Sequence, residues 1–550
     1  MECKPIEFLR SSHRLIPPFR FRWVFCQLEL LRHCFPTDVR RILTELPESL
    51  DDTYGRILKQ IHKSNRRHAY RLLQCLTVAI RPLRVEELAE VLALDLSRGA
   101  IPNLNADWRW EDQEEAVLSA CSSLVAIITD NGSRVVQFSH FSVKEFLTSD
   151  RLATSFKEMS QFHIPIEPSH VILAQACFGV LLRLDDHTDE ESVKNIPLFR
   201  YADAHWIGHA QIGNVELQIK GAMDHFFDMD KPHFSAWVRM QDGPHFLKIS
   251  TSKRPPLSAP LYLAAMSGFR HLVERIIIQR PQDVHHMGGL YGTPLHASVL
   301  GRQIEVTRLL LVHGADINSR STDKSTPLHL AARIGQLEVV RMLLESNAEV
   351  NARNWQDETA LFGASENGNH QVVQLLLDYN ADERVRANGN TTPLLYATAF
   401  GNLEVARLLL QRNADVNARD DNGTTPFLHA SHDGMPGLVR LLLDHHADEY
   451  ARDDDGNTAL HFAAARGHVD VARLLLERGA EIDAQNDAGS TPLHRASEGL
   501  REGNTVVLQL LLDHGADAQV RNLDGKSASE VARGPKQQEI VQLLSKYAAE

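Results

Sequence analysis

The stretch Ser321-Thr322-Asp323-Lys324-Ser325-Thr326-Pro327-Leu328-His329-Leu330-Ala331-Ala332-Arg333-Ile334-Gly335-Gln336-Leu337-Glu338-Val339-Val340-Arg341-Met342-Leu343-Leu344-Glu345-Ser346-Asn347 decides the fold. Thr326-Pro327 predicts a helix start: a hydroxyl that accepts from an early orphan N–H, then proline at the first helical position. Leu328, Leu330, Ala331 and Ala332 supply branched and small apolar side chains, and Gly335 ends the helix. Leu337, Val339, Val340, Leu343 and Leu344 form an i, i+3, i+4, i+7 stripe on a second helix. A single pair of this length has no way to bury that stripe, so the sequence requires neighbours of the same kind.

The neighbours are there. Thr293-Pro294-Leu295-His296, Thr326-Pro327-Leu328-His329, Thr458-Ala459-Leu460-His461 and Thr491-Pro492-Leu493-His494 share one pattern, and degenerate copies start at Thr359, Thr392 and Thr425. These starts are spaced 33 residues apart. A first copy begins at Ala259-Pro260-Leu261-Tyr262 and a last at Ser527-Ala528-Ser529, giving about nine repeats whose end copies depart from the pattern as caps should. The period and the Thr-Pro-Leu-His signature resemble the ankyrin family. The second helix of each copy should end in a left-handed residue, and the positions carry Gly314, Asn347, Asn380, Asn413, Gly479 and Gly515, with His446 a strained exception in the sixth copy. Asn422-Gly423, Asp455-Gly456 and Asp524-Gly525 predict hairpin turns. In the eighth copy the spacing stretches by three through Leu500-Arg501-Glu502-Gly503-Asn504, read as a loop insertion that carries specificity.

Length and charge bound the rest. A chain of 550 residues exceeds one hydrophobic core, and 43% apolar with 23% charged residues is ordinary for a folded chain. The net charge of -13 disfavours nucleic acid, whose phosphates need a basic face, and points to a protein partner. Met1 to Ile6 has no apolar leader, and the longest nearly apolar run, Leu118 to Thr129, falls short of the roughly 20 residues that span a bilayer. The expectation is therefore a cytoplasmic protein, with the nucleus left open and no membrane partner. All six cysteines (Cys3, Cys26, Cys34, Cys75, Cys121, Cys177) precede the repeats, none at C-x-x-C spacing, and read as reduced structural thiols.

No cofactor, metal site or catalytic group is expected, and the chain reads as a non-enzyme. His296, His329, His461 and His494 recur once per repeat at a structural position where the ring bonds nearby backbone or hydroxyl groups. Neither H-E-x-x-H nor G-x-S-x-G occurs, and Gly525-Lys526-Ser527 is a chance echo of a phosphate loop, with Val520 where the first glycine belongs.

The N-terminal half lacks the period. It reads as a segment of little order over 1–19, a helical segment over 20–80, a winged helix over 81–150 and a helical connector over 151–254, ahead of repeats over 255–550. Helices are predicted at Thr37 to Thr44, Ser49 to Ile61, Arg66 to Ala79, Val85 to Leu92 and Glu114 to Ser123. Two strands, Leu124 to Thr129 and Ser133 to Phe138, flank Asp130-Asn131-Gly132. Helices followed by such a hairpin describe a winged helix. DNA reading through it is the weaker expectation, because Glu111-Asp112-Gln113-Glu114-Glu115 opens the adjacent helix with carboxylates. His140 lies among Phe141, Val143, Phe146 and Leu147, all at core spacing, and reads as a buried or half-buried structural histidine. The fold class is thus mainly α: a winged-helix and helical region, then an ankyrin-type α-solenoid with β-hairpin tips.

The segments from Phe21 to Leu28, Leu46 to Tyr54, Arg81 to Leu88 and Gln137 to Leu147 together resemble the region behind the nucleotide-binding core in fungal NACHT-ankyrin proteins, including the winged helix named after GPI inositol-deacylase. The resemblance implies the sensing and regulatory arm of a signalling ATPase. That family places a complete P-loop domain before this region, and here about twenty residues precede Phe21, so no phosphate loop, magnesium carboxylate or lid arginine carries over. The expectation is a truncated relative that kept the regulatory parts, or alternatively the C-terminal part of a larger ATPase whose start codon is misassigned.

Ankyrin proteins bind through hairpin tips and the exposed face of the inner helices. Mapped by offset from each Thr-Pro, the tips offer Thr322, Asp323, Trp355, Gln356, Glu358, Asn388, Asp421, Asn422, Asp454, Asp455 and Asn457. The inner helices offer Arg333, Glu366, Asn367, Phe400, His432, Asp433 and Arg466. Trp355 is the candidate anchor. Asp420, Asp421 and Asp453 to Asp455 put carboxylates on adjacent tips, which favours a basic partner on the concave face.

Overall fold

The computed structural model describes residues 49–96, 101–104, 112–121, 124–130, 132–154, 159–241, 259–289, 292–499, 502–533 and 537–547. The expectations for 1–19, the helix Thr37 to Thr44 and the segment Phe21 to Leu28 lie outside the described residues, as do Glu111, Asn131, Leu500 and Arg501. The chain divides into two units, Met1–Lys253 and Arg254–Glu550.

Among the described residues the second unit is a stack of nine helix pairs, from Pro260–Ser267 with Arg270–Gln279 to Ala528–Val531 with Gln537–Tyr547. In the third repeat the inner helix is Pro327–Ile334 and the outer Leu337–Glu345, with Thr326 as the N-cap and Gly335 closing at φ 79°. Leu328, Ala331, Val339, Val340 and Leu343 are buried in one core that runs through the stack. The helix-to-helix core between neighbouring repeats is thus apolar, as a solenoid requires. Each residue expected to be left-handed is so, including His446 at φ 64°.

Three further devices join the repeats. At the tips, each finger donates one backbone bond to the last: Trp355 N to Asp323 O, Asn388 N to Gln356 O, Asp421 N to Gly389 O, Asp454 N to Asn422 O and Asp487 N to Asp455 O, at 2.9–3.0 Å. Each tip is a tight hairpin turn closed by bonds such as Asp420 N to Thr424 O (3.1 Å), too short to build a ladder. Arginines then step along the stack: Arg320 donates to Arg353 O (2.6 Å), Arg353 to Arg386 O (3.1 Å), Arg386 to Arg419 O (3.1 Å).

The third device is a notch. Gly335, Gly368 and Gly467 follow the inner helices at φ 72–79° or φ 71°, and a Cβ there would strike Asn369, Asn402 and the Gly503-Asn504 backbone respectively. Asn369, Asn402 and Asn504 use that space to donate to the last carbonyls of the preceding inner helix, as Asn504 Nδ2 does to Ala464 O (2.7 Å) and Ala465 O (3.0 Å). The insertion in the eighth copy is not a loop as expected. It lengthens the outer helix, Glu502–Asp513, to 12 residues against 9 in the third repeat, and brings Asn504 into its notch.

In the first unit, Ser49 caps α1 (Leu50–Gln60) by accepting from Asp52 N at 3.0 Å. α2 (Arg66–Val78), β1 (Leu83–Arg84), α3 (Val85–Leu92), β2 (Leu94–Asp95), β3 (Asn103–Leu104), α4 (Gln113–Cys121), β4 (Val125–Asp130), β5 (Ser133–Phe138) and α5 (Phe141–Thr148) make the winged helix. Its sheet has the order β1-β5-β4, so the expected hairpin gains a short third strand, Leu83 opposite Val136. Glu87 on α3, fully buried, takes both Arg81 guanidinium donors (2.8 and 2.6 Å) and Arg84 N (2.8 Å), which fixes the turn into the sheet.

His140 caps α5, accepting from Ser142 N at 3.2 Å, and is half-buried as expected. Phe141 is not core: it is 59% exposed and its ring lies against His140 (4.2 Å between centroids), because the first residue of the helix points away from the sheet. Beyond residue 150, Ile166–Leu181 packs on α2, and Cys75 and Cys177 are both buried thiols pushed up by desolvation, Cys75 to about 12. Tyr201 accepts Ile80 N (3.1 Å) and Gly179 leaves room for Leu94 and Pro102, so the connector and the winged helix share a core.

Candidate functional site

The recurring histidines are capping groups. In the third repeat Thr326 N donates to His329 Nδ1 (3.1 Å), and Nε2 donates to Glu358 O of the next repeat (3.0 Å). His296, His461 and His494 repeat this bridge to Ser325 O, Ser490 O and Lys526 O. An imidazole that accepts at one nitrogen and donates at the other is neutral, and burial pushes His296 and His461 down to about 4. Among the described residues no group of three or more histidine, cysteine or carboxylate side chains is placed to hold a metal.

The fourth repeat breaks the pattern. Phe362 stands where His296, His329, His461 and His494 stand in four other repeats and where the fifth and sixth carry Leu395 and Leu428, and it packs edge-on against Tyr396 at 5.2 Å. Thr359, its N-cap, is 1% exposed, and among the described residues its hydroxyl has no hydrogen-bond partner. Tyr396 instead reaches back and donates to Glu358 Oε1 at 2.7 Å. Gly363, at the offset where neighbouring repeats carry Leu330 and Tyr396, lets Arg333 come close, its would-be Cβ standing 3.0 Å from Arg333 Cβ. The result is a hollow of about 350 Å³ across repeats three to five, lined among others by Arg333, Gln356, Glu358, Glu366, Tyr396 and Phe400.

Five of the residues mapped from sequence therefore meet in one place: Arg333, Gln356, Glu358, Glu366 and Phe400. Trp355, 65% exposed, stands between two lining residues, Asn354 and Gln356, and Phe400 is 56% exposed. Asn367 bonds Gly363 O on the same helix (3.2 Å). His432, Asp433 and Arg466 form a second group: His432 Nδ1 contacts Asp433 (2.7 Å) and Nε2 accepts from Arg466 (2.8 Å). Thr322, Asn388, Asp421, Asn422 and Asp455 are exposed along the tips.

Other mapped residues serve the turn itself. Asp323 is tied to Ser321 and to Ser325 Oγ (3.0 Å). Asp454 is paired with Arg419 at 3.2 Å, which removes part of the expected run of free negative charge. Asn457 is a correction: it is 7% exposed, bonding Asp453 (3.0 Å) and Asn486 (2.8 Å) on the inner side of its finger. Tyr396 and Thr359 went unnoticed in sequence. The available signal was an aromatic, Phe362, at the histidine place of Thr359-Ala360-Leu361-Phe362, where the fifth and sixth copies carry leucine.

In the winged helix, Arg134 of β5 is ion-paired with Glu114 of α4, and Asp112 caps α4 by accepting Glu114 N and Glu115 N, both 3.0 Å. Among the described residues no helix is long and apolar enough to cross a membrane.

The repeats and the winged helix define the class. Ankyrin-repeat models match residues 261–354, 351–420, 413–486 and 466–512, and the model of the GPI inositol-deacylase winged helix domain matches 57–158. Ankyrin repeats indicate a protein-protein interaction scaffold. The chain is similar to azaphilone pigments biosynthesis cluster protein L of Monascus ruber, 29% identical over 286 residues, covering 48% of this chain. It spans 59% of that relative's length. The human ASB11 ankyrin repeat domain is similar at 28% identity and a TM-score of 0.38, covering 40% of this chain and 98% of that one.

Proposed function

We propose that the solenoid holds a protein partner on its concave inner-helix face and fingertips, without catalysis, as the sensing arm of a NACHT-type signalling system in the cytoplasm. The observation that carries the binding reading is the pair of large aromatic side chains, Trp355 and Phe400, left exposed beside one hollow. Exposed aromatics with no folding role are the residue types that dominate interface energy. Asp421 and Asp455 keep their carboxylates exposed at the tips and favour a basic partner surface.

The test is capture of partners by the full chain, compared with Trp355→Ala and Asp454→Lys. A drop of about tenfold or more for Trp355→Ala is expected; unchanged binding of every captured partner by both variants rejects this surface. The winged-helix match over 57–158 favours a second reading, the regulatory part of a larger signalling ATPase. An in-frame phosphate loop upstream in the transcript would establish it. DNA binding is disfavoured by the carboxylates that open α4 and by the Glu114 pairing of Arg134.

A further inference from the structure

We infer that the hollow between repeats three and five is a subsite for one arginine side chain of a protein partner; this rests on the partner-binding reading above. Charge gives the sign. Glu358 and Glu366 bring two carboxylates to the hollow and Arg333 one guanidinium, so the net charge is negative by one (two minus one), while His329 is held neutral by its two ring bonds. Arg333 lays its stem over Gly363, whose Cβ would stand 3.0 Å from Arg333 Cβ. The phenol of Tyr396 is pushed up, chiefly by desolvation and then by its bond to Glu358 and the charges of Glu358 and Glu366, so both carboxylates act on the same wall.

Shape and hydrogen bonding narrow the cation to a guanidinium. Tyr396 and Phe400 lie 6.1 Å apart, centroid to centroid and tilted by 39°, offering flat π surfaces that suit a planar ion better than an ammonium. Thr359 supplies the independent sign that something is missing: it lines the hollow, is almost wholly buried, and its hydroxyl finds no partner among the described residues. A buried unpaired hydroxyl is costly. A guanidinium, with five donors in a fork, has the donors to bond a carboxylate and a hydroxyl together.

The full chain should be used to select from a random displayed peptide library. Arginine is expected to be enriched at one fixed position. Replacing that arginine by citrulline, which keeps the shape and removes the charge, should weaken binding about tenfold or more. Glu366→Gln should weaken the arginine peptide and leave the citrulline peptide unchanged, whereas Thr359→Val should weaken both, because citrulline keeps N–H donors for the hydroxyl. Absence of arginine enrichment, a lysine peptide that binds as tightly, or indifference to both variants overturns the inference. Peptides that depend on Trp355 and not on Glu366 would overturn the subsite and leave the partner-binding reading standing; loss of all binding defeats both.

Discussion

The side-chain amide of Asn402 occupies the space that a Cβ on Gly368 would need, with Oδ1 only 2.6 Å from that point. Asn402 Nδ2 donates to Ser365 O and Glu366 O, both at 2.7 Å, so it closes the carbonyl end of the preceding repeat's inner helix. Gly368→Ala is doubly opposed, by the positive φ of 71° and by this contact. It should destabilise the fourth and fifth repeats by about 2 kcal/mol or more. Asn402→Ala strands two carbonyls and should cost about 1–3 kcal/mol. Because a solenoid couples nearest neighbours, faster amide exchange should concentrate in repeats four and five. Exchange unchanged there, or raised evenly along the chain, contradicts the notch.

Acid should loosen the stack before the carboxylates titrate. His296 and His461 are lowered from 6.5 to about 4 chiefly by desolvation. Between those values the unfolded chain binds protons that the folded one refuses, so stability rises with pH there. The contribution is complete above about pH 6.5 and falls away as pH drops toward about 4, by about 2–4 kcal/mol for each histidine. His461→Gln keeps a side chain able to accept Thr458 N–H and removes the titration. Urea midpoints at pH 7 and pH 5 should differ less for His461→Gln than for the natural chain; an equal difference would falsify the assignment.

The local grammar of the repeat was legible before any coordinates: cap, stripe, left-handed stop and turn all follow from side-chain chemistry within one period. His446 at positive φ shows that the period outweighed local preference. What escaped was lateral. The Gly368 and Asn402 pair is 34 residues apart, and its meaning depends on how closely inner helices stack. Likewise Asn457, placed by its offset on a tip, turns inward because Asp453 and Asn486 need its amide. β1, two residues long, exists only because β5 has a free edge. The hollow was half legible: five lining residues were named, but Tyr396, which reaches back to Glu358, was not.

Asn457 should behave as a structural residue. Its Nδ2 donates to the Asp453 carboxylate and its Oδ1 accepts from the Asn486 amide, both half-buried side chains of the fingers. Asn457→Ala should therefore lower stability by about 1–3 kcal/mol. Partner affinity, measured at a temperature where the variant remains folded, should be unchanged. A variant of full stability with weakened binding would return Asn457 to the interaction surface.

The N-cap threonines offer an internal control for the hollow. Thr326 belongs to a reciprocal capping box with His329, so Thr326→Val removes an acceptor and a partner for Nδ1 and should cost about 0.5–2 kcal/mol. Thr359 occupies the same place one repeat later, yet its hydroxyl bonds nothing among the described residues. Valine has the same shape, and removing an unsatisfied buried hydroxyl releases its desolvation cost. Thr359→Val should thus be neutral or stabilising in urea denaturation. A loss comparable to that of Thr326→Val would show that the hydroxyl is satisfied in solution by the fold itself, and would remove the strongest sign that the hollow awaits a donor from outside.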